Sequence, residues 1–384
     1  VKPPIITVNI SDPLPRTNFA FAQRVIPGNY SHTISAFGGY DTATFTLNTT
    51  QAEAEDWLEY GLMREVTIYG SAIDIVWEGF INEIRIVVGP LTATTGPLMD
   101  VANPVAVLYT PLVHGDTGEV SGSQTLSAWG EDTTAQVYGE MPKILNAGTV
   151  TDANAIIQRD TFLNDNKWPK ATESLSSSSN RPVTVTIGCK GYFHLLNWYY
   201  YNADVGTDLA EDKIIDVLTD TPNISWLTFD DSYIDPNGLY VPTQEISYRT
   251  ALTVIKDIVV RGDATNNRWL FYVLANREVH YSRIPTSIGY MARVSNQGLV
   301  IKSARQAIIE PWRLLPGQWL SLDDFLVGRN VPALTLTDSS LHEDPRLMFI
   351  EKVTYRAPYG LQLQGGNTDE IVQVMAQMGA GGIT

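Results

Sequence analysis

Cysteine is all but missing from this chain. The single thiol, Cys189, excludes an internal disulfide and any multi-cysteine zinc or iron-sulfur site. A small buried hydrophobe is its expected role. Histidine is sparse too: His32, His114, His194, His280 and His342 are scattered, and none falls three or four residues from another metal ligand on a helical stretch. Each is expected as a surface or hydrogen-bonded residue, and the sequence calls for no metal and no other cofactor. It holds neither GxxxxGK[ST] nor GxGxxG, and neither a GxSxG elbow nor HExxH. No run reaches the roughly 20 apolar residues of a membrane helix. The opening VKPPIITVNISDPLP lacks a basic stretch followed by an apolar one, so a soluble chain without a membrane span is expected. Positive charge is the last shortage: 26 Lys and Arg face 42 Asp and Glu, a net charge of −16. Stable nucleic-acid binding needs a basic surface and is disfavoured. The same balance suits a wall past which a polyanion slides, or reports solubility alone.

What is present is patterned β sequence. A chain of 384 residues, 44% hydrophobic and 18% charged, is an ordinary folded protein of two or three domains. The stretch Arg64 to Gly89, REVTIYGSAIDIVWEGFINEIRIVVG, alternates Val66, Ile68, then Ile73, Ile75, Trp77, then Ile84, Ile86, Val88. Gly70-Ser71-Ala72 and Gly79 interrupt it, which predicts three paired strands. Its polar positions Glu65, Thr67, Asp74, Glu83 and Arg85 are expected to be exposed. Before that stretch, Ser31 to Phe37 and Tyr40 to Leu47 predict a hairpin across Gly38-Gly39. Thr50-Gln51-Ala52-Glu53 is a capping box opening a helix that ends at Gly61. Residues 1 to 28, with five prolines, read as an extended arm that docks elsewhere.

After a strand near Val105 to Tyr109, residues 110 to 180 are weakly patterned and predict loops and a linker. Arg181 to Cys189 is a clear strand, continuing into GYFHLLNWYYYN. Asp208 with Glu211 predicts a second capped helix, stopped by Pro222, and Ser247 can cap a third that ends at Gly262. Strands at 268 to 273 and 278 to 283 follow across Ala275-Asn276, giving a small α/β module. From Arg293 the chain is β-like again, as far as LMFIEKVTYRA turning at Pro358-Tyr359-Gly360 into LQLQ. A last helix, Asp369 to Met378, aligns Ile371, Val374, Met375 and Met378.

Two polar constellations invite a chemical reading. Asp230-Asp231-Ser232-Tyr233-Ile234-Asp235-Pro236-Asn237-Gly238 offers loop oxygens, but Tyr233 stands where a calcium loop needs a third ligand. A Pro-Asn-Gly turn explains the segment better. In the other, Glu78, Asp231 and Asp324 would flank a sugar gripped by Trp198, Tyr199, Tyr200 and Tyr201, a glycan-binding or glycan-degrading receptor site. The sequence does not bring these groups together.

The order of elements resembles the hub proteins of phage baseplates and tail tips and their relatives in contractile injection systems. The likeness is carried by FGGYDTATFTLN with AEDWLEYGL, by IDIVWEGFINEIRI, by SYRTALTVIKDIVVRGDATNNRWLFYVLANREVHYSR, and by LLPGQWLSLDDF with RLMFIEKVTYRAPYGLQLQ. The resemblance implies an α+β, mainly β fold with two small tube-type β-barrel domains and an intervening α/β module. It partitions the chain into an arm (1–28), a first barrel with an excursion at 110–180 (29–205), the α/β module (206–290), a second barrel (291–366) and a C-terminal helix and tail (367–384). It further implies a structural, non-enzymatic virion protein, in which Glu65, Thr67, Asp74, Glu83 and Arg85 are candidates for tube-facing or subunit-facing contacts. Such a hub is a homotrimer joining the tail tube to fibre or spike, with a distal tail ring as neighbour and DNA passing through it. A distal or minor tail ring of hexameric symmetry is the near alternative.

Overall fold

The computed structural model describes residues 7–11, 25–70, 74–115, 118–177, 181–202, 207–221, 226–242, 248–265, 267–295, 298–303, 305, 307–321, 347–357 and 360–366. The expected C-terminal helix at 369–378, Ser247, His342 and Asp324 lie outside them.

The fold is α+β and mainly β. Strand β1 (Thr7–Ser11) precedes the hairpin of β2 (Val25–Ser35) and β3 (Gly38–Asn48). Gly38 and Gly39 supply positive φ at its turn, as the sequence predicts. Helix α1 (Gln51–Tyr60) follows, with Thr50 accepting from the Glu53 amide and Glu53 accepting from the Thr50 amide. Both halves of the capping box are thus formed.

Strand β4 (Glu65–Tyr69) pairs with β5 (Ile75–Val88). Here the expected third strand is corrected: β5 runs unbroken through Gly79 for 14 residues. Gly79 does not end a strand; it lets another come close. A Cβ there would stand 2.1 Å from the Lys190 carbonyl oxygen on the neighbouring strand. Around it, Val76 to Asn82 are all buried, so alternation holds only in the later part of β5.

Strand β6 (Leu91–Thr95) folds back on β5. The next segment departs from the loops expected at 110–180. It holds β7 (Val105–Gly115), β8 (Gly118–Ser121), β9 (Thr125–Leu126), β10 (Lys143–Val150), helix α2 (Asp152–Asn166) and β11 (Ala171–Leu175). Strands β7 and β10 are parallel, and α2 lies across them. Ala102, Val105 and Leu163 form one small apolar core there, and Val107, Tyr109 and Ala155 another. Most of α2 faces outward, which is why its sequence shows little helical periodicity.

Strand β12 (Thr184–Gly191) is inserted between β3 and β5. It does not continue through the aromatics as expected, because Tyr192–Asn197 is a 3-10 turn. Next come β13 (Tyr200–Tyr201), β14 (Asp208–Leu209), α3 (Ala210–Asp220), β15 (Tyr240–Val241), β16 (Arg249–Thr250) and α4 (Ala251–Val259). The four short strands pair as β13 with β16 and β14 with β15. The predicted caps shift: α4 is capped by Thr250, whose hydroxyl accepts from the Thr253 amide. Helix α3 starts after Leu209 without a side-chain cap. Glu211 instead accepts from the Gly238 amide at 3.2 Å.

The hairpin of β17 (Trp269–Val273) and β18 (Val279–Arg283) completes the α/β part. It joins β3 in parallel at Gly38 and Gly39. The late strands are β19 (Ile288–Ser295), β20 (Gly298–Ser303), β21 (Trp319–Ser321), β22 (Leu347–Arg356) and β23 (Gly360–Gly366). Strand β22 pairs with β2, so early and late strands share one fifteen-stranded sheet among the described residues. The path runs β1-β4-β5-β12-β3-β2-β22-β21-β19-β20.

One apolar core runs from Tyr30 through Trp57, Trp77 and Tyr192 to Ile255 and Tyr281, uniting the early strands with the α/β part, and it takes in Trp312 and Tyr355 of the late segment. A second, around Trp319 and Phe349, includes Ala36 and Leu270 and so joins all three parts. A third, around Leu320, Ile350 and Val353, belongs to the late strands alone. Fully buried aromatic rings of this kind carry most of the apolar burial.

Candidate functional site at the joints between the β regions

The tip of the β17–β18 hairpin is the tightest polar joint. Asn276 and Arg277 sit at φ 60° and 61°, a left-handed conformation that costs a side-chain-bearing residue roughly 1 to 2 kcal/mol. Arg277 is held there from all sides. Its amide donates to Glu78 Oε2 at 3.3 Å, and its guanidinium pairs with Glu65. The same guanidinium lies 4.6 Å from the Tyr192 ring centroid and 6.0 Å from that of Trp226. Burial raises the Glu78 carboxyl above its ordinary range, and the Arg277 charge opposes that shift. The hairpin is therefore clamped to β4 and β5 by charge, ring stacking and a strained turn together.

The second joint is the β2–β22 seam, in register from Ser31 opposite Arg356 to Ser35 opposite Lys352. His32 is buried in it, with Nδ1 at 2.5 Å from the Tyr30 hydroxyl and its ring 5.5 Å from that of Tyr355. Trp312 stands 6.0 Å beyond, against Tyr355. Burial lowers the His32 pKa to about 3, so the ring is neutral at ordinary pH.

Two ionic links cross the same seam. Asp41 on β3 meets His194 Nε2 at 2.9 Å and Lys352 Nζ at 3.2 Å. Burial pushes that carboxyl up, but its two partners outweigh it and hold the pKa at about 2. Arg268 grips Glu351 with both guanidinium nitrogens, the second at 3.1 Å, and lies 5.2 Å from the Phe349 ring centroid. Fork-to-fork geometry of this type fixes orientation as well as distance. Further along, Arg313 bridges Asp74 and Glu310, tying the β4–β5 turn to the late segment.

The sequence-predicted sugar site is dispersed or covered. Trp198, Tyr199 and Tyr201 are buried in the main core. The Tyr200 hydroxyl accepts from the Ile144 amide at 2.9 Å and so anchors the β7–β10 unit. Three of the four rings thus serve as core, and Tyr200 is half-buried. Glu78 is engaged with Arg277, and Asp231 is exposed at the start of a short 3-10 turn. Asp230 accepts from the Ser232 amide at 2.8 Å, which makes the Asp230 segment a turn. Among the described residues no group of three His, Cys, Asp or Glu is placed to hold a metal ion. No described helix is long and apolar enough to cross a membrane.

Of the positions expected to face other subunits, Glu65 and Asp74 are instead paired within the chain, to Arg277 and Arg313. Thr67 leans on Glu78 at 3.5 Å, Glu83 is half-buried, and Arg85 stays exposed. Sequence reasoning missed Arg277, Arg268 and Lys352. The one local signal was the turn at Ala275-Asn276, which marks where Arg277 must project.

These joints define a class: a mainly β, α+β protein whose polar side chains lock its parts together. No family model matches the chain, and no curated protein does. Among solved structures, similar folds include a type VI secretion component of E. coli, itself described as structurally similar to bacteriophage T4 tail proteins. That protein shares 8% identity at a TM-score of 0.41, over 93% of this chain and 75% of its own. A tail protein of Neisseria meningitidis shows 7% identity and a TM-score of 0.41, covering 96% of this chain and 98% of its own. A prophage tail protein of Shewanella oneidensis shows 5% identity and a TM-score of 0.39, covering 89% and 93%.

Proposed function

We propose that this chain is a structural protein of a phage-type tail, the hub that joins tube to fibre or spike in the tail tip or baseplate. The observation that carries the reading is the β2–β22 seam, which continues the early strands into the late ones and is bolted by Asp41, Lys352, Arg268 and Glu351. A part that bears load between a tube and a fibre needs such a cross-connected body. In this reading 29–205 and 291–366 are the two barrels, and 206–290 is the module clamped between them. The partners are two further copies, a distal tail ring and a fibre or spike protein, and the net charge of −16 gives DNA little to hold as it passes. The chain is assigned no reaction. A distal or minor tail ring of six copies differs from this reading only in symmetry.

Immunogold labelling of particles made by the host that encodes the chain is expected to mark one end of the tail. Light scattering and class averages of the purified assembly are expected to give three-fold rings, with six-fold rings favouring the distal ring. Label away from the tail, or release of reducing sugar from glycans by the purified chain, overturns the reading.

A further inference from the structure

Strand β1 stands at one end of the fifteen-stranded sheet and pairs with β4 alone among the described strands. Its register is unbroken, from Thr7 opposite Tyr69 to Ser11 opposite Glu65. Val8 and Ile10 fall opposite Ile68 and Val66, the two buried residues of β4, so sequence pattern and register agree. Without β1, the outer edge of β4 would present an open row of backbone donors and acceptors.

The next strand in sequence, β2, is far away in the sheet, separated from β1 by β4, β5, β12 and β3. Neighbouring strands lie about 4.8 Å apart, so the path along the sheet is on the order of 24 Å. The stretch from Ser11 to Val25 can span up to about 46 Å when extended. Directly after β1 the sequence reads Asp12-Pro13-Leu14-Pro15. The connection therefore has the length to place β1 on its own β4 or on that of an adjacent copy.

We propose that β1 is an exchangeable strand, and that in assemblies of this chain the β1 of one copy completes the β4 edge of the next in the register seen here. The ladder is the same within or between chains, so exchange sacrifices no strand pairing and turns that ladder into a hydrogen-bonded link between neighbours. The partner is a second copy of this chain. The inference stands on the β1–β4 ladder and the length of the connection, and it does not rest on the tail assignment.

Cysteines placed at registered partners read the exchange directly. Two singly substituted chains, Asn9→Cys and Thr67→Cys, carry different affinity tags and are co-expressed, purified and mildly oxidised. The wild-type Cys189 is buried and takes no part. A disulfide-linked dimer holding both tags is expected at ten or more times the yield from an Asn9→Cys and Thr172→Cys control pair. The Asn9→Cys/Thr67→Cys double variant checks that the two positions can bond. If it closes within one chain while the co-expressed single variants give no more dimer than the control, the proposal is overturned. An assembled sample that gives no crosslink above the control overturns strand exchange and leaves the tail reading standing, whereas the crosslink in a protein whose label lies away from the tail overturns only the tail reading, so the two fail separately.

Discussion

Arg277 shows how a single side chain can hold an unfavourable backbone in place. The cost of the left-handed turn at Asn276 and Arg277 is offset by one ion pair, one amide-to-carboxylate bond and two ring contacts. Removing the side chain leaves Glu65 and Glu78 without their cation in a half-buried site, so Arg277→Ala should destabilise the protein by about 2 to 4 kcal/mol. Urea denaturation checks this, and a double-mutant cycle with Glu65→Gln should return a coupling of about 1 kcal/mol or more. Trp77 makes a different case, since it is fully buried and serves by volume. Trp77→Ala should cost roughly 3 to 5 kcal/mol, and a near-neutral melt would contradict its place in the core.

His32 adds a pH dependence whose sign follows from its burial. Its pKa is about 3 in the folded chain against an ordinary histidine value of 6.5. Above pH 6.5 neither state takes the proton, so the residue imposes no penalty. As pH falls from about 6.5 towards about 3 the unfolded chain binds the proton first, and stability should drop by about 1.4 kcal/mol per pH unit. His32→Leu should flatten that part of the stability curve, as measured by denaturation across pH.

Among the elements, legibility followed how local the causes were. The Thr50 to Glu53 capping box formed as predicted because both partners lie within four residues. Asp208 and Glu211 carry the same pattern, yet Glu211 turns to the Gly238 amide, which the fold brings near. Gly79 looked like a break because glycine often ends a strand. Its cause is the Lys190 carbonyl on β12, more than 100 residues away. Gly79→Ala should therefore force β5 and β12 apart, and circular dichroism is expected to show a lower melting temperature or failure to fold. Helix α2 escaped the pattern because Ala155 and Leu163 are its only buried residues. Exposure of that kind predicts early opening, so hydrogen exchange should be faster in α2 and β10 than in β5 and β12.

The molecule as a whole was legible in sequence as an order of β, α/β and β parts. The joints were not, because Asp41 with Lys352 and Arg268 with Glu351 are pairs chosen by the fold from positions far apart in the chain. No period or spacing marks them. Nor did Trp198, Tyr199 and Tyr201 declare themselves as core, since rings that fill a core and rings that grip a sugar have the same composition. The difference lies in which neighbours cover them.

The β2–β22 seam also sets a clock. Thr33 and Thr354, whose hydroxyls meet across it at 3.2 Å, are 321 residues apart. At roughly 5 to 20 residues per second, a ribosome needs on the order of 15 to 65 s to make the second strand after the first. Throughout that interval β2 can pair with β3 but offers an unfilled edge on its other side. Newly made chains are thus exposed to one another in proportion to how slowly they are translated. Slower synthesis of the late strands should raise the fraction lost to aggregation before any folded protein exists.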